Sequence, residues 1–535
     1  MSEQHQSAHR FDAVIVGAGF AGLYLLHRLR ELGFRAIAIE AGEGVGGTWY
    51  WNRYPGARCD IESLQYQYSF SDELQREWNW TERYATQPEI LAYLNHVADR
   101  FDLRRDIRFG TRVTAARYDE AARQWTIETD NQQRLSAHFC IMATGCLSVT
   151  KLPEVPGLED FAGRCYHTGA WPHEGVDFTG RRVGLIGTGS SAIQSIPVIA
   201  KQAAQLTVFQ RTPSFSVPAQ NAPLDPEHVK DYKDRYAELR RQAGETPFGF
   251  QDVFAPTLAV ETPSETRTRT YEDLWDRGGL PFIGAFADLV FTQEANDTAA
   301  DFVRAKIRET VKDPATAAAL TAQQYPIGTK RMCVDIDYYA TFNRDNVALV
   351  DLRATPIERL TSTGIVTSAS EYIFDDLVFA TGFDAMTGAL AAIDIRGRDG
   401  QALADAWRDG PRTYLGLAVA GFPNFFTVTG PGSPSVMSNM ALSIEQHVDW
   451  ITDCIAYLRD QGHDCIEATS EAEADWVQHV RDVSNSTLFP LANSWYLGAN
   501  VPGKPRVFMA YLGVGAYAEK CRDVVAGEYA GFACS

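Results

Sequence analysis

The amino-acid sequence predicts an α/β fold with two Rossmann-like dinucleotide-binding domains and a helical insertion. An apolar strand, a glycine-rich turn and a helix follow one another near residue 13, and the same succession recurs near residue 182. Residues 221–324 differ from both units, because they are charged and alanine-bearing and have helical periodicity over Glu227–Gln242 and Asn296–Val311. Strands alternating with helices are typical of doubly wound parallel sheets, and the third stretch predicts the insertion.

The first unit begins with the apolar strand Ala13–Val16 and ends at Glu40. Between them, Gly17, Gly19 and Gly22 have the spacing G-x-G-x-x-G. Such glycines permit a tight turn, close approach of the backbone to a diphosphate and close packing of helix on strand, while the helix N-terminus offers unpaired N–H groups. Glu40 ends the next strand, where a carboxylate accepts ribose hydroxyl groups. The unit therefore predicts a nucleotide with an unphosphorylated ribose, such as FAD or NAD.

The second unit differs from the first at the end of its second strand. Its turn again consists of small residues, namely Gly187, Gly189, Ser190 and, in place of the third glycine, Ala192. No acid ends the following strand; Arg211 and Thr212 stand there instead. A guanidinium at this position can bind a ribose 2′-phosphate, so the second unit predicts NADPH, the alternative being an ordinary surface arginine.

Two apolar strands, one in each half of the chain, end in the same tripeptide, Ala143-Thr144-Gly145 and Ala380-Thr381-Gly382. This repetition indicates that the chain passes between the two nucleotide domains twice, and residues 153–180, rich in Pro, Gly and His, read as a linker. We expect an FAD-binding domain of residues 1–148 and 383–535, an NADPH-binding domain of residues 149–220 and 325–382, and a helical insertion of residues 221–324.

Composition narrows the class of partner. The net charge of −19 argues against nucleic acid or an anionic membrane as a partner. Nine widely spaced cysteines without a C-x-x-C pair argue against a disulfide framework and a zinc ribbon, so no metal site is expected. Residues 1–10 are polar and show no signal peptide, which favours a cytoplasmic protein. The uncharged residues 413–444 could span a bilayer by length, but their prolines exclude a membrane helix, so they are expected to form a buried wall of the flavin site.

A motif between the two units carries a family resemblance. Phe161, Gly163, His167, Trp171 and Pro172 match F-x-G-x-x-x-H-x-x-x-W-P, the fingerprint of the Baeyer–Villiger monooxygenases. The chain is similar to this family over nearly its whole length, and most of all to the phenylacetone and steroid monooxygenase subgroup. Within the fingerprint we interpret His167 and Trp171 as an inter-domain hinge and packing pair, with acid–base catalysis as the alternative.

The resemblance implies an enzyme that uses FAD, NADPH and O2 to convert small-molecule ketones to esters or lactones. In this family NADPH reduces FAD, a C4a-peroxyflavin forms, and its attack on the ketone gives a tetrahedral Criegee-type adduct that rearranges. The resemblance also implies oxidation of sulfides.

The same resemblance assigns roles to single residues. Arg331 matches the catalytic arginine, and Asp60 matches the carboxylate that holds it. An arginine cannot lose its proton, so it can stabilise developing negative charge without donating a proton. Lys330 joins Arg211 and Thr212 at NADP, and Trp495 closes over the nicotinamide half. The positions matching those that line FAD are Glu40, Thr48, Trp49, Asp60, Tyr66, Val113 and Met440.

Two alternative functions stay open from the sequence. An N- or S-hydroxylating flavin monooxygenase shares both glycine loops, although its fingerprint usually continues differently after the histidine. A non-oxygenating flavoprotein that binds NADPH is the other alternative. Neither the ketone, which can be aryl, steroidal, cyclic or aliphatic, nor the oligomeric state follows from the sequence.

Overall fold

The protein is described here by a computed structural model that covers residues 10–251 and 255–535. The strands are β1 (Arg10–Val16), β2 (Ala36–Ile39), β3 (Ile107–Arg108), β4 (Val113–Asp119), β5 (Gln124–Thr129), β6 (Arg134–Met142), β7 (Arg164–His167), β8 (Arg182–Ile186), β9 (Gln205–Gln210), β10 (Ser216–Pro218), β11 (Cys333–Asp335), β12 (Val347–Asp351), β13 (Ile357–Thr361), β14 (Gly364–Thr367), β15 (Glu371–Ile373), β16 (Asp376–Phe379), β17 (Asp394–Arg396), β18 (Phe425–Thr427), β19 (Ile466–Ala468) and β20 (Phe532–Cys534).

The helices lie between and around these strands. They are α1 (Phe20–Glu31), α2 (Thr48–Trp51), α3 (Asp72–Glu77), α4 (Gln87–Arg100), α5 (Ser190–Gln202), α6 (Pro226–Asp234), α7 (Tyr236–Glu245), α8 (Ser264–Arg277), α9 (Gln293–Thr310), α10 (Pro314–Leu320), α11 (Tyr338–Thr341), α12 (Gly388–Ala391), α13 (Leu403–Ala406), α14 (Met440–Gln461), α15 (Ser470–Asn485) and α16 (Val514–Ala526). Short 3₁₀ turns include Ser435–Met437 and Trp495–Leu497.

The first sheet has the order β17-β4-β5-β6-β1-β2-β3, with β18 beside β6. Strand β1 pairs in parallel with β2 and β6, so the loop after β1 lies at the carboxyl edge of the parallel strands. Strands β17 and β18, from the last third of the chain, join β4 and β6 in this sheet. Helix α14 packs against α1, and Tyr24 Oη donates to Asp449 Oδ1 at 2.6 Å across that contact.

The second sheet is parallel throughout, with the order β12-β9-β8-β16-β7. Its member β7 falls within residues 153–180, so the expected linker contributes an edge strand that pairs with β16. The pairing of β12 and β16 with β9 and β8 returns the chain to this sheet after the insertion. The domain boundaries themselves stay a prediction.

Helices α6 to α10 occupy residues 226–320, and the predicted helical character of this stretch is confirmed. Helix α9 follows the expected bounds closely, whereas the helical stretch predicted over residues 227–242 is not continuous. It divides into α6 and α7 at Arg235, whose φ of −112° and ψ of 10° leave the helical region. Helical periodicity continues across this junction, which is why the sequence did not reveal it.

The uncharged residues 413–444 form β18, a buried irregular segment and the first turn of α14. Phe425, Phe426 and Val428 are each at most 5% exposed, so this segment is buried in protein. Within residues 10–251 and 255–535, no helix combines the length and the apolar character needed to cross a bilayer.

Candidate active site

A cavity of about 570 Å³ lies where the loops of the two sheets meet. Many of the residues singled out from the sequence line it, namely Gly17, Gly19, Glu40, Thr48, Trp49, Asp60, Tyr66, Val113, Ser190, Arg331, Met440 and Trp495. The others stand outside its lining, namely Gly22, Gly187, Gly189, Arg211, Thr212 and Lys330, together with the fingerprint residues Phe161, Gly163, His167, Trp171 and Pro172. One space is therefore bordered by the first glycine loop, by the start of α5 and by the arginine–carboxylate pair.

The first glycine loop has no room for side chains. Gly17 has a φ of +108°, and a Cβ there would lie 2.5 Å from the carbonyl oxygen of Ala143. A Cβ at Gly22 would lie 2.0 Å from the carbonyl oxygen of Gly17. The N-cap of α1 is Gly19, which has no side chain to bond the N–H groups of the first helical turn. These N–H groups therefore have no N-cap side chain competing for them. These features fit the diphosphate of a dinucleotide such as FAD.

Glu40 is built into this loop. Glu40 is 5% exposed, and its carboxylate accepts hydrogen bonds from the backbone N–H groups of Ala18 and Gly42, both at 2.7 Å. Burial raises the pKa of Glu40, and the hydrogen bonds from Gly42 and Ala18 oppose that rise. A carboxylate has about four acceptor positions, so two remain for ribose hydroxyl groups. Glu40 therefore fixes the loop as well as offering acceptors to a nucleotide.

The second glycine loop repeats the first at one position and departs from it at others. Gly187 has a φ of +126°, and a Cβ there would lie 2.3 Å from the carbonyl oxygen of Ala380. Gly187 thus faces the second Ala-Thr-Gly tripeptide as Gly17 faces the first. A Cβ at Gly189, in contrast, would have no atom within 4 Å, and the third position carries the buried Ala192. The second loop is consequently the more open of the two.

Two cations lie beside this second loop. Arg211 is exposed at the end of β9, and Lys330 Nζ lies 4.6 Å from the centroid of the Tyr325 ring. Among the described residues, neither forms an ion pair with a carboxylate. Burial, helped by the positive charge of Arg211, lowers the pKa of Lys330 to about 8. Thr212 continues the segment, and its carbonyl oxygen accepts a hydrogen bond from Thr188 Oγ1 at 2.7 Å. This arrangement suits a phosphate group that supplies the missing negative charge.

Arg331 and Asp60 form a bidentate pair at the cavity wall. Arg331 Nε donates to Asp60 Oδ2 at 2.8 Å, and Nη2 donates to Asp60 Oδ1 at 2.7 Å. Arg331 Nη1 donates to the carbonyl oxygen of Val436 at 3.0 Å. The guanidinium is thereby held at three points while each member of the pair keeps 22% of its side chain exposed. A positive charge of fixed orientation thus faces the cavity.

The surroundings of Arg331 keep its guanidinium positively charged. Burial alone would lower the pKa of Arg331, but the charge of Asp60 and its hydrogen bonds outweigh burial, and the net pKa is raised. The hydroxyl of the buried Tyr496 also lies close to the guanidinium: burial raises the pKa of Tyr496, and Arg331 opposes that rise. The adjacent Trp495 lines the cavity at the start of a 3₁₀ turn.

The fingerprint residues pack beside the cavity. His167 ends β7, its Nδ1 accepts the N–H of Gly169 at 3.0 Å, and burial lowers its pKa. Its Nε2 lies 3.4 Å from Thr381 Oγ1, in the second Ala-Thr-Gly tripeptide. Trp171 is buried against the rings of Tyr166 and Phe178. His167 does not line the cavity, which supports a packing and hinge role over acid–base catalysis, although the hinge itself stays a prediction.

The remaining fingerprint residues act through packing. Phe161 is buried in a cluster with residues of the second sheet. A Cβ at Gly163 would lie 2.5 Å from the Phe161 ring and 2.6 Å from the carbonyl oxygen of Asp375, which accounts for glycine there. Pro172 directly follows the buried Trp171.

Sequence reasoning missed three contributors to the site. The Val436 carbonyl that accepts from Arg331 is a backbone group and leaves no mark in the sequence. Tyr54 and Gln194 both line the cavity, and Tyr54 Oη donates to Gln194 Oε1 at 2.7 Å, joining the segment before Asp60 to helix α5. The proximity of Tyr54 to Asp60, six residues on, was the only signal that could have drawn attention to it.

Comparison with known proteins agrees with this geometry. Residues 14–245 match the family model described as pyridine nucleotide-disulphide oxidoreductase. A Baeyer–Villiger monooxygenase of Pseudooceanicola batsensis is 45% identical over 95% of this chain and 93% of its own. A phenazine N-monooxygenase of Lysobacter antibioticus is 42% identical over 98% of this chain and 96% of its own.

Solved structures give the same result. Oxidised steroid monooxygenase bound to NADP superposes with a TM-score of 0.94 at 55% identity, over 98% of this chain and 99% of that one. OTEMO in complex with FAD and NADP superposes with a TM-score of 0.95 at 41% identity, again over 98% and 99%. The fold of two dinucleotide-binding domains and the two cofactors predicted from the sequence are confirmed. The chain belongs to the Baeyer–Villiger monooxygenases, the FAD- and NADPH-dependent enzymes that convert ketones to esters or lactones.

Proposed function

We propose that this protein oxidises a lipophilic ketone at the cavity face of Arg331, with O2 as the oxidant and NADPH as the reductant. The observation that carries the proposal is the bidentate Arg331–Asp60 pair, which opens on the same cavity as the first glycine loop. Of the lining residues that are not assigned to FAD, Leu147, Val436 and Trp495 are apolar, which favours a lipophilic substrate over a charged one.

Both cofactors have residues suited to hold them. Gly17, Gly19 and Glu40 would hold FAD at its diphosphate and ribose, with Trp49 and Met440 beside it. When bound, FAD supplies the site of O2 activation and NADPH the hydride that reduces it. Arg211 and Lys330 would hold the 2′-phosphate of NADPH, while Trp495 would close over its nicotinamide half.

Arg331 supplies the electrostatics of oxygen transfer. Attack of an activated oxygen on a ketone carbonyl develops negative charge on the carbonyl oxygen, and a donor fixed beforehand in a partly dry cavity stabilises such charge without reorganising. Asp60 and the Val436 carbonyl orient the guanidinium of Arg331, which lines the cavity. A guanidinium keeps its proton at working pH. Arg331 therefore does not transfer a proton to the activated oxygen and does not neutralise its negative charge.

A panel of aryl, steroidal, cyclic and aliphatic ketones, incubated with NADPH and O2, tests the proposal by mass spectrometry of the products. We expect an ester or lactone, heavier than its ketone by one oxygen atom, from at least one class. Sulfides and aromatic N-heterocycles belong in the same panel. We propose that sulfides are also oxidised, whereas N-oxides without any ester would favour the activity that names the phenazine relative. NADPH consumption that yields only hydrogen peroxide would contradict both.

We further propose that the protein acts in the cytoplasm on small molecules, without nucleic acid as a partner. Its nine cysteines are all unpaired, which suits a reducing compartment, and the net charge of −19 repels nucleic acid. Subcellular fractionation with an activity assay tests the location.

A further inference from the structure

Thr429 lies in the cavity wall in a strained backbone conformation. It is 4% exposed, lines the cavity and has a φ of +55°. For a β-branched residue the left-handed region is unfavourable, and such residues persist only where the surroundings impose them. Thr429 is therefore held in this conformation by contacts from other residues.

Two buried side chains provide those contacts. The N–H of Thr429 donates to Nδ1 of His447 at 2.9 Å. The carbonyl oxygen of Thr429 accepts from Ser435 Oγ at 3.0 Å. His447 and Ser435 are both 0% exposed, and Ser435 also has a left-handed φ, of +42°. Both backbone polar groups of the strained residue are thus bonded to side chains.

His447 is suited to this task and to no proton transfer. It lies in α14, its ring is 5.4 Å from that of Tyr517, and burial lowers its pKa to about 3. Because Nδ1 accepts a hydrogen bond, the proton of the neutral ring lies on Nε2. Nε2 is buried and has no hydrogen-bond partner among the described residues. The unpaired Nε2–H group is unfavourable, because a buried donor without a partner costs free energy. What His447 contributes here is therefore the hydrogen-bond acceptor Nδ1.

The contacts continue to the catalytic pair. Ser435, which bonds the carbonyl of Thr429, directly precedes Val436, whose carbonyl oxygen accepts from Arg331 Nη1 at 3.0 Å. His447, Thr429, Ser435, Val436 and Arg331 therefore form one connected series from the core of α14 to the cavity.

We propose that His447 is a positioning residue that fixes Thr429 in its left-handed conformation and thereby orients the Val436 carbonyl that holds Arg331. Nothing in this role requires His447 to touch cofactor or substrate. The inference rests on the role proposed for Arg331, and it adds that the orientation of the guanidinium depends on a side chain outside the cavity lining.

Matched variants test the inference. His447→Leu removes the acceptor, whereas His447→Asn offers an amide oxygen near the place of Nδ1. Thr452→Val, also in α14 and fully buried, removes a hydroxyl remote from the cavity and serves as the control. We expect His447→Leu to form roughly five- to tenfold less ester per NADPH consumed, as loss of one hydrogen bond implies. His447→Asn should recover much of the loss, and Thr452→Val should behave as the unchanged protein.

A second pair of variants keeps the test decisive if His447→Leu folds poorly. Glycine adopts the left-handed region without strain, so Thr429→Gly should make His447 dispensable. We expect Thr429→Gly/His447→Leu to match Thr429→Gly alone in ester formed per NADPH and in the absorbance bands of bound flavin. The inference would be overturned if His447→Leu formed as much ester per NADPH as the unchanged protein. It would also be overturned if His447→Leu lowered this ratio equally with Thr429 and with Thr429→Gly. If the unchanged protein itself formed no ester, the proposed function would fail instead, and the flavin bands alone would decide the role of His447.

Discussion

The two glycine loops of this protein share a backbone turn but differ in how completely the protein has arranged their surroundings. Gly17 and Gly187 face equivalent alanine carbonyls at 2.5 and 2.3 Å from a hypothetical Cβ. Beyond that turn the first loop is closed on itself, with a buried Glu40 bonding its backbone. The second loop is open and ends at Arg211 and Lys330, which have no carboxylate partner in the described parts of the chain.

This difference indicates two kinds of cofactor binding. A ligand in the first site would be enclosed by preformed contacts and would remain bound through many turnovers. A phosphate-bearing ligand in the second site would neutralise the positive charges of Arg211 and Lys330. Because the open loop does not enclose it, such a ligand would be able to dissociate. We therefore expect FAD to behave as a resident cofactor and NADPH as one that exchanges.

The largest expected effect comes from closing the tightest contact of the first loop. A methyl group in Gly22→Ala would lie 2.0 Å from the Gly17 carbonyl oxygen, and backbone cannot yield as a side chain can. We expect this variant to be purified without FAD and to bind none on reconstitution, as measured by flavin absorbance per protein. Ala192→Gly, the reciprocal change in the second loop, is the control and should retain FAD. Full flavin content in Gly22→Ala would contradict the claim that the first loop is more tightly closed than the second.

An intermediate effect is expected at the open site. Arg211→Ala should raise the apparent KM for NADPH roughly ten- to hundredfold, because a charge-assisted hydrogen bond to phosphate is lost. The KM for NADH should change little, since NADH has no 2′-phosphate. Arg182→Ala, which removes an exposed arginine paired with Asp375, provides the control. Equal losses with both nucleotides would show that Arg211 has another role.

The smallest effect is a pH dependence at the same site. Lys330 has a pKa lowered to about 8, and only its charged form attracts the phosphate. The apparent KM for NADPH should therefore rise, by up to roughly tenfold, as the pH increases through about 8. Lys330→Arg should flatten this profile, because a guanidinium stays charged in that range. Steady-state kinetics with NADPH and NADH across this range provides the measurement, and a profile shared by both nucleotides would contradict it.

The sequence revealed those parts of the fold that depend on short local patterns. A few neighbouring residues were enough to recognise the glycine spacings, the carboxylate of Glu40, the guanidinium of Arg211 and the fingerprint. The pairing of Arg331 with Asp60 was predicted from the resemblance to the family. Strand β7 was missed within residues 153–180, because its four residues acquire their conformation by pairing with β16, distant in the sequence. The division of α6 from α7 was missed for a similar reason, since periodicity does not record the backbone angles of one residue.

Parts of the site built from backbone were beyond sequence reasoning. The Val436 carbonyl and the strained Thr429 depend on how the segment after β18 folds against α14. No residue type announces a carbonyl acceptor, and threonine gives no local sign of a positive φ. His447 likewise reads as one more residue of a long helix until the packing is known.

The central claim is that Arg331 stabilises charge during oxygen transfer and matters less for reduction. Arg331→Ala, studied by stopped-flow reduction with NADPH beside an ester assay, tests that claim most directly. We expect the flavin to be reduced by NADPH and reoxidised by air, with ester formation lowered by roughly 10²–10³ and hydrogen peroxide formed instead. Arg331→Lys should recover little, because an ammonium lacks the planar fork that Asp60 orients. Ester formation by Arg331→Ala at a near-unchanged rate would contradict the account.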